Sequence, residues 1–438
     1  MANTYTTYKD SGIPWIGDVP GHWRANKVNR LFRIIGSGTT PNSSDNDAFV
    51  GSINWLQSGD INGGIITKAN KKISNDTLAK YSALSVYKAP FIVIAMYGAS
   101  VGNISISHID ACVNQACCVL SDSNIDFKFA FYAIKSAQRY LIFKAVGGGQ
   151  PNISQYTLRQ LWISIPPLSE QRTIVSYLDS KCSEIDDLIS LQEKMIDELK
   201  AYKQSVITEA VTKGLDRNVK MKDSGVEWIG EIPEHWELRP IKYLFNRRSH
   251  KNSPVETTER LSLSIDKGVT LYSEKTTNLD RFKDDYTQYQ LAHPNDIVLN
   301  SMNMIVGAIG LSQYFGCVSP VYYVIYASNK EISSLYFSYA LNTPTIRSVY
   351  YSMGKGIYAI ERGEGRVNTC RLKVSYDDFG RLEIPVPPYQ EQIEITNFIE
   401  TKCSEIDSLI SIKEKKIEEL KDYKKSLIYE YVTGKKRV

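Results

Sequence analysis

The sequence consists of two copies of one pattern, and this repeat limits the folds that its 438 residues can adopt. The segment KDSGIPWIGDVPGHW at residues 9–23 returns as KDSGVEWIGEIPEHW at residues 222–236. A second set of matching segments is PPLSEQ and KCSEID, at residues 166–171 and 181–186, and PPYQEQ and KCSEID, at residues 387–392 and 402–407. Internal repetition indicates copies of one structural unit. We therefore predict two equivalent halves, each a globular domain followed by a long helix.

The segment after each Pro-Pro pair carries the heptad pattern of a coiled coil, with seam residues at alternating steps of four and three. The predicted seam positions are Ile174, Leu178, Cys182, Ile185, Ile189, Gln192, Ile196, Leu199, Lys203, Val206 and Ala210 in the first helix, and Ile395, Ile399, Cys403, Ile406, Ile410, Lys413, Ile417, Leu420, Lys424, Leu427 and Tyr431 in the second. The first helix ends at Gly214, shortly before the second domain begins near Asp223. The second helix is therefore expected to run back along the first.

The globular parts repeat more loosely than the helices. Apolar runs at residues 90–98 and 296–303 predict one equivalent strand in each half. A helix is expected at residues 127–143 in the first half and at residues 332–350 in the second, where Pro344 should break it. The scaffold of the two domains is thus expected to be the same, while their loops differ.

These patterns place the chain in the α+β class, with two mixed α/β domains separated by two long helices. The helices are expected to pack as an antiparallel coiled coil, and the internal repeat is expected to have pseudo-two-fold symmetry. The predicted boundaries are a first domain at residues 1–165, a first helix at 166–214, a second domain at 215–386 and a second helix at 387–438.

The end of the second helix matches the end of the first. Residues 431–434, YVTG, resemble residues 210–213, AVTK, after which the chain continues to the second KDSG segment at residue 222. The first KDSG segment stands at residue 9, so the chain has the order of a two-unit ring that is opened at one linker. We therefore expect the two ends of the sequence to be neighbours.

Composition is that of a multidomain globular chain. The net charge is +4 and the pI about 8.4, which is less basic than expected for a chain that binds nucleic acid by charge alone. No apolar run approaches the ~20 residues that a membrane span requires. Residues 1–12 lack the basic and apolar stretches of a secretory signal, and the seven cysteines fit reduced thiols. The expected compartment is the cytoplasm.

Three patterns that could carry chemistry lack the residues that the chemistry needs. The triplet Pro387-Pro388-Tyr389 is similar to the core of adenine methyltransferase motifs, but Val386 stands where a polar side chain would hold the target amino group. A rigid helix start is the favoured interpretation. The glycine-rich segments 36–38 and 147–149 lack the spacing of a nucleotide-binding loop, and the cysteines form no paired Cys-x-x-Cys zinc motif. We expect no catalytic site, no cofactor and no metal on this chain.

The order of the segments resembles the specificity subunits of type I restriction-modification systems over essentially the whole chain. A domain, a Pro-Pro-x-x-Glu-Gln segment, a long helix ending in Val-Thr and an Asp-Ser-Gly-x-x-Trp-Ile-Gly-x-x-Pro-x-His-Trp segment precede a second copy of the same elements. The resemblance implies a non-catalytic subunit in the prokaryotic cytosol. Its two target-recognition domains would each read one half of a bipartite, asymmetric site in double-stranded DNA, while the helices set the spacing.

The resemblance also implies partners. Two methyltransferase subunits, which carry S-adenosylmethionine, would dock on the repeated regions, and restriction subunits would join for cleavage. The repeated motifs imply residues that are structural or that contact a partner subunit. These are Trp15, Trp23, Pro166, Pro167, Glu170 and Gln171 in the first half, and Trp228, Trp236, Pro387, Pro388, Glu391 and Gln392 in the second.

The DNA-contacting residues are predicted from chemistry, because base reading needs forked donors and acceptors on loops that enter a groove. In the first domain the candidates are Gln57, Ser58, Asn62, Tyr97, Ser100, Gln150 and Asn152. In the second domain they are Arg247, Arg248, Lys251, Asn300, Asn303, Lys355, Tyr358, Arg362 and Arg366. The alternative for each of these residues is a solvated loop position.

Two other functions fit parts of the pattern. The chain could be a stand-alone DNA-binding repressor or a coiled-coil scaffold without an enzyme partner, and co-purification with a methyltransferase would separate these possibilities from the first. A self-contained restriction-methylation enzyme would need a methyltransferase or nuclease domain, and the sequence motifs of neither are present.

Overall fold

A computed structural model describes residues 4–42, 45–145, 151–265, 267–274, 285–357, 361–362, 366–367 and 371–438. The chain divides into two compact units. The first unit comprises Met1–Glu193 with Lys415–Val438, and the second comprises Lys194–Glu414. None of the described helices contains a stretch that is long and apolar enough to cross a membrane.

The first unit contains twelve strands and five helices within its described residues. The strands are β1 (Tyr8–Asp10), β2 (Asp18–Pro20), β3 (Arg24–Lys27), β4 (Phe32–Gly36), β5 (Ile53–Leu56), β6 (Ile65–Ile66), β7 (Lys71–Ile73), β8 (Phe91–Ala95), β9 (Ile104–Ser107), β10 (Ala111–Val113), β11 (Cys117–Ser123) and β12 (Trp162–Ile165). The helices are α1 (Asn75–Lys80), α2 (Phe127–Ser136), α3 (Gln138–Phe143), α4 (Gln155–Arg159) and α5 (Leu168–Lys213), the last of which continues into the second unit.

The main sheet of the first unit has the strand order β4-β11-β8-β9-β6, and a second sheet has the order β10-β5-β7. Strand β8 is buried on both faces, which explains its unbroken apolar sequence. Its Ile92 and Ile94 belong to the core that contains α2, whereas Phe91, Val93 and Ala95 belong to the core beneath the second sheet. The predicted strand at residues 90–98 is confirmed.

The second unit repeats this architecture. Its strands are β13 (Met221–Asp223), β14 (Glu231–Pro233), β15 (Glu237–Pro240), β16 (Phe245–Arg247), β17 (Leu261–Ser264), β18 (Gly268–Leu271), β19 (Gln290–Ala292), β20 (Ile297–Asn300), β21 (Ile309–Leu311), β22 (Gly316–Val318), β23 (Tyr322–Ala327), β24 (Lys355–Ile357), β25 (Glu361–Arg362), β26 (Arg366–Val367), β27 (Arg371–Lys373) and β28 (Glu383–Val386). Its helices are α6 (Ile241–Leu244), α7 (Ser334–Ala340), α8 (Pro344–Met353), α9 (Tyr376–Arg381) and α10 (Tyr389–Val432), the last of which ends in the first unit.

The sheet order β16-β23-β20-β21 matches β4-β11-β8-β9 strand for strand. Strand β20 is again buried on both faces, with Ile297 and Leu299 in one core and Val298 in the other. The second unit adds the strand pairs β24-β27 and β25-β26 before α9. The predicted break at Pro344 is confirmed, whereas the helix predicted at 127–143 is two helices that meet at Ala137. The prediction of one continuous helix there was wrong.

In each unit, the strand that directly follows the repeated segment pairs with the strand that directly precedes the long helix. Arg24 on β3 lies opposite Ile165 on β12, and Glu237 on β15 lies opposite Val386 on β28. Both pairs are antiparallel, so the chain enters and leaves each domain at one place. The part of each domain between the two paired strands therefore begins and ends at the same place.

The two long helices run antiparallel within each unit. In the first unit Lys424 Nζ lies 2.6 Å from Asp186, and the hydroxyls of Tyr431 and Tyr177 are 3.2 Å apart, so residue numbers fall on α10 as they rise on α5. In the second unit Lys203 Nζ lies 2.7 Å from Asp407, with the same direction. The long helices were predicted from the heptad pattern and their antiparallel packing from the short connection after Gly214, and both predictions are confirmed.

A carboxylate at the start of each long helix holds the repeated segment that precedes the domain. In the first unit Glu170 accepts hydrogen bonds from the indole N–H of Trp23 (3.2 Å) and from the hydroxyl of Tyr5, and it pairs with Nε2 of His22 (2.9 Å). In the second unit Glu391 accepts from Trp236 (3.0 Å) and pairs with His235 (2.9 Å). Both tryptophans are fully buried. We call each set, Glu170 with His22 and Trp23 or Glu391 with His235 and Trp236, a Glu-His-Trp cluster.

The glutamine that follows each of these glutamates joins the helix to the domain. The amide oxygen of Gln171 accepts from the backbone N–H of Asp126, which caps α2, and its amide nitrogen donates to the carbonyl of Pro166 (both 2.8 Å). Gln392 repeats this with the N–H of Ser333 and the carbonyl of Pro387 (both 2.9 Å). Both glutamines are buried, so all the elements that they join are fixed to the helix.

Residues near the two ends of the sequence pack together in the first unit. The guanidinium of Arg437 lies 5.9 Å from the centre of the Tyr5 ring, and the hydroxyl of Tyr429 donates to the carbonyl of Trp15 (3.2 Å). Gly434 has φ +72°, and a Cβ atom there would overlap the ring of Pro20, so this helix end needs glycine. The predicted proximity of the ends is confirmed.

We predict that replacing Glu391 with Ala lowers the free energy of unfolding by about 1–3 kcal/mol, because the buried indole N–H of Trp236 then lacks its acceptor. Urea denaturation measures the loss. The control is Glu394→Ala one turn further on, since exposed Glu394 bonds only the side chain of Gln390 (3.1 Å) and its loss should cost within ~0.5 kcal/mol. Equal effects of the two substitutions would contradict a structural role for the Glu-His-Trp cluster.

We also predict that a circular permutant folds. The variant joins residues 438 and 4 by a short polar linker and opens the chain in the exposed stretch 215–218. Because the joined residues are already neighbours and the opened ones are exposed, circular dichroism and thermal unfolding should match those of the parent chain. An insoluble or partly unfolded permutant would show that the connection at residues 214–222 is required for folding.

Candidate nucleic-acid interface

Two loops of the first unit are held together by hydrogen bonds. The hydroxyl of Ser100 donates to the carbonyl of Ser58 (2.8 Å), and the side-chain amide of Asn103 donates to the carbonyl of Ile61 (3.1 Å). These bonds join the loop after β5 to the loop after β8. The structure thus brings together the predicted residues Ser58 and Ser100, which sequence reasoning took from separate segments.

The loop after β5 is internally braced. Gln57 and Asp60 exchange side-chain and backbone hydrogen bonds across the turn, and the Asn62 oxygen accepts from the N–H of Gly64 (3.1 Å). Lys135 on α2 donates to the carbonyl of Gly63 (2.8 Å), and burial lowers the pKa of this lysine. Asn62 is exposed, and the internal bond uses only its side-chain oxygen. No sequence signal identified Lys135 as a support for this loop.

The third predicted segment of the first domain lies beside Tyr97. Asn152 forms a β-bridge with Tyr97, and the N–H of Ile153 donates to the carbonyl of Met96 (2.7 Å). Burial raises the pKa of the Tyr97 hydroxyl further above neutral pH, where a tyrosine is protonated in any case and can donate a hydrogen bond. Gln150 lies outside the described residues. We call residues 57–64, 97–103 and 152–153 the first loop cluster.

In the second unit, Arg247 is held between two tyrosine rings. Its guanidinium carbon lies 5.1 Å from the ring centre of Tyr323 and 4.8 Å from that of Tyr376. Tyr323 is itself fixed, because its hydroxyl donates to the carbonyl of Val374 (2.9 Å). The aromatic contacts orient the exposed Arg247 without using its N–H groups, which remain suited to a forked acceptor.

Arg248 differs from its neighbour. Its Nε and Nη2 atoms donate to the two carboxylate oxygens of Asp296 (2.6 and 2.9 Å), and Asp296 is only 2% exposed. These hydrogen bonds raise the pKa of the guanidinium. A buried carboxylate needs its counter-charge, so Arg248 serves the fold, and the proposed interface omits it.

The loop after β20 carries the next two predicted residues. Asn300 is 9% exposed, and its side-chain oxygen accepts from the N–H of Met302 (3.1 Å), so it shapes the loop. Asn303 is exposed. The carbonyl of Ser301 accepts from the N–H of Val374 (3.0 Å), which brings this loop to the segment that leads into Tyr376.

The remaining predicted residues of the second domain lie on separate elements. Lys355 on β24 is exposed, and its Nζ lies 3.9 Å from Asp378 on α9. Lys251 is exposed beside Gln290. Arg362 and Arg366 are backbone register partners in the strand pair β25-β26, and Tyr358 lies outside the described residues. We call Arg247, residues 300–307 and residues 354–357 the second loop cluster.

The residues that the repeated motifs imply are part of the scaffold. Trp23, Glu170 and Gln171, like their counterparts in the second unit, make the contacts given above, and the Pro-Pro pairs directly precede α5 and α10. The ring of Trp15 stacks on Tyr140 at 6.0 Å, and Trp228 packs against the core of the second unit. Within the described ranges, no group of three or more His, Cys, Asp or Glu side chains is placed to hold a metal ion.

Several known proteins are similar to this chain in sequence. Residues 20–201 match the family model of the type I restriction modification DNA specificity domain. The chain is 24% identical to the type I restriction enzyme MjaVIII specificity subunit of Methanocaldococcus jannaschii, over 96% of this chain and 94% of that protein. It is 21% identical to the EcoBI specificity subunit of Escherichia coli, over 68% and 64%.

Similarity of fold extends over nearly all of the chain. A solved structure from a study of complex assembly and conformational transition of the type I R-M system superposes with a TM-score of 0.64 at 14% identity, covering 94% of this chain and 98% of that one. The family model, the relatives along almost the full length and the shared fold agree with one another. The chain is therefore similar to type I restriction-modification specificity subunits over nearly its full length, and residues 20–201 match their DNA specificity domain.

Proposed function

We propose that the chain reads a bipartite, asymmetric site in double-stranded DNA, each globular domain contacting one half of it. The observation that carries the proposal is that one sheet order occurs in both units while the loops on it differ. A common scaffold with different loops is suited to two readers of different sequence. The long helices α5 and α10 connect the two readers and would set the spacing between the half-sites.

The chemistry of the two loop clusters differs. The first offers neutral groups, such as the amide of Asn62 and the hydroxyl of Tyr97, whereas the second offers the cations of Arg247 and Lys355 with Asn303. Amides read adenine edges, and guanidinium groups read guanine or hold phosphates. We therefore propose unlike half-sites. Gln57, Ser58, Ser100, Asn152, Lys251, Arg362 and Arg366 complete the proposed interface.

We further propose that the chain has no catalytic role and works in the prokaryotic cytosol with enzyme subunits. The Glu-His-Trp cluster and the glutamine beside it occur once per unit, and the sequence around them is repeated. Two equivalent surfaces would accept two copies of one methyltransferase subunit, which would supply S-adenosylmethionine. Restriction subunits would join this complex for cleavage.

We predict that exchanging one domain changes one half of the methylated site. Residues 24–165 are replaced by the corresponding segment of a similar specificity subunit, because Arg24 and Ile165 are paired and both junctions then lie on the strand pair β3-β12. Adenine methylation is mapped in genomic DNA of cells that express the exchanged chain and its methyltransferase.

The matched exchange replaces residues 237–386, whose ends are paired in the same way. It should change the other half of the site. If a single exchange changes both halves of the site, the two domains do not read DNA independently. If the parent chain does not co-purify with a methyltransferase, a stand-alone repressor or a scaffold is favoured.

We predict that substitution of Arg247 affects DNA binding, whereas substitution of the neighbouring Arg248 affects the stability of the fold. Arg247→Ala should leave the melting temperature unchanged and cost about 1–3 kcal/mol of DNA binding by the complex, because it removes an oriented donor. Arg248→Ala should destabilise the fold by about 3–5 kcal/mol, because Asp296 then remains buried without its partner. Thermal unfolding and a gel-shift titration separate the two, and a lower stability for Arg247→Ala would show that this residue serves packing.

A further inference from the structure

Arg347 on α8 lies against the loop that carries Asn303. Its Nη1 atom lies 3.4 Å from the carbonyl of Val306. Gly307 has φ +97°, and a Cβ atom on that glycine would lie 2.8 Å from the same nitrogen. The guanidinium of Arg347 therefore lies directly against the loop of the second cluster, although no sequence signal singled it out.

The charge of Arg347 is not matched inside the unit. In the described part of the chain, no acidic side chain pairs with it, and its Nε–H is buried without an acceptor. Arg248, by comparison, has both carboxylate oxygens of Asp296. Burial lowers the pKa of Arg347, but arginine starts so high that it remains charged at neutral pH. A half-buried cation of this kind is costly unless an anion from outside the unit completes it.

The position favours a phosphate as that anion. Base edges lie within a groove and are reached by side chains that protrude, such as that of Asn303, whereas phosphates are the outermost groups of the duplex. A partly buried guanidinium beside an exposed loop can therefore meet a phosphate when the loop enters the groove. Its planar fork suits two phosphate oxygens.

The first unit has a different side chain at the equivalent place. Gly102 has φ +79°, and a Cβ atom there would lie 3.0 Å from Cγ1 of Ile142 on α3. An apolar residue thus supports the loop after β8, where Arg347 supports the loop after β20. The cation is not required for the loop conformation as such, so its presence in the second unit points to a ligand.

We propose that Arg347 binds a backbone phosphate of the DNA at the half-site contacted by the second domain. The proposal rests on the proposed function, since it assigns a ligand to the second loop cluster. Arg347 would hold the duplex in register with the loop and would carry no base preference of its own.

The test compares the methyltransferase complex of the parent chain with that of Arg347→Met, which retains the aliphatic stem against Gly307. The probes are a duplex with the site found by methylation mapping and a duplex with that site scrambled. Affinity for each is measured from 50 to 200 mM salt. The slope of log affinity against log salt should become less steep by about 0.9, the value for one phosphate contact. As the salt rises from 50 to 200 mM, the ratio of parent affinity to variant affinity should therefore fall by about 3.5-fold.

The control is Arg239→Met on β15, where the arginine pairs with Glu237 at 2.9 Å, and it should leave the slope unchanged. An unchanged slope for Arg347→Met, or a loss confined to one base pair of the site, would overturn the proposal while leaving the proposed function intact. If the parent complex binds the two duplexes equally, both the proposal for Arg347 and the proposed function are contradicted. If Arg347→Met lowers the melting temperature, the same salt titration is made with Arg347→Lys, which keeps the positive charge. A slope equal to that of the parent complex then supports the proposal, and a less steep slope overturns it.

Discussion

The hydrogen bond between a buried indole and a carboxylate at the start of a long helix determines how each half of this protein is assembled. Trp23 and Trp236 are fully buried, and an indole N–H without an acceptor would be costly there. Glu170 and Glu391 provide the acceptor. The neighbouring Gln171 and Gln392 accept from the backbone N–H groups of Asp126 and Ser333, which directly precede α2 and α7. Two adjacent residues thus fix the preceding segment, the domain and the long helix to one another.

This fixed base permits the loops above it to vary. The central strands β8 and β20 are buried on both faces, so the sheet draws its stability from its own packing and not from the loops at its edge. The first loop cluster is held by hydrogen bonds from Ser100, Asn103 and Lys135 to backbone carbonyls. In the second, Arg247 lies between aromatic rings and Lys355 lies beside Asp378. The same sheet order therefore supports surfaces of unlike charge.

The structural features that could be predicted from the sequence are mostly those that depend on a repeated pattern. The long helices, their antiparallel direction and the adjacency of residues 5 and 437 all follow from the heptads and the duplicated segments. The break at Pro344 follows from the chemistry of proline. The break at Ala137 does not, because alanine favours helix and no helix-breaking residue marks the end of α2.

The candidate site was less accessible to sequence reasoning. Arg247 and Arg248 are adjacent and chemically identical, yet only the structure shows that one faces Tyr376 and the other Asp296, from positions 129 and 48 residues away. The support of one loop by Lys135 and of another by Arg347 likewise depends on contacts between distant segments. Such contacts leave no local pattern in a single sequence.

The pairing of β3 with β12 and of β15 with β28 has a consequence for inheritance. Both domains are preceded by almost the same fifteen-residue segment, which ends directly before the paired strands begin. A genetic crossover within the segment transfers a whole domain and leaves the Glu-His-Trp cluster and the paired base intact. New combinations of half-sites can therefore arise by recombination in one step, without passing through chains whose core must be rebuilt.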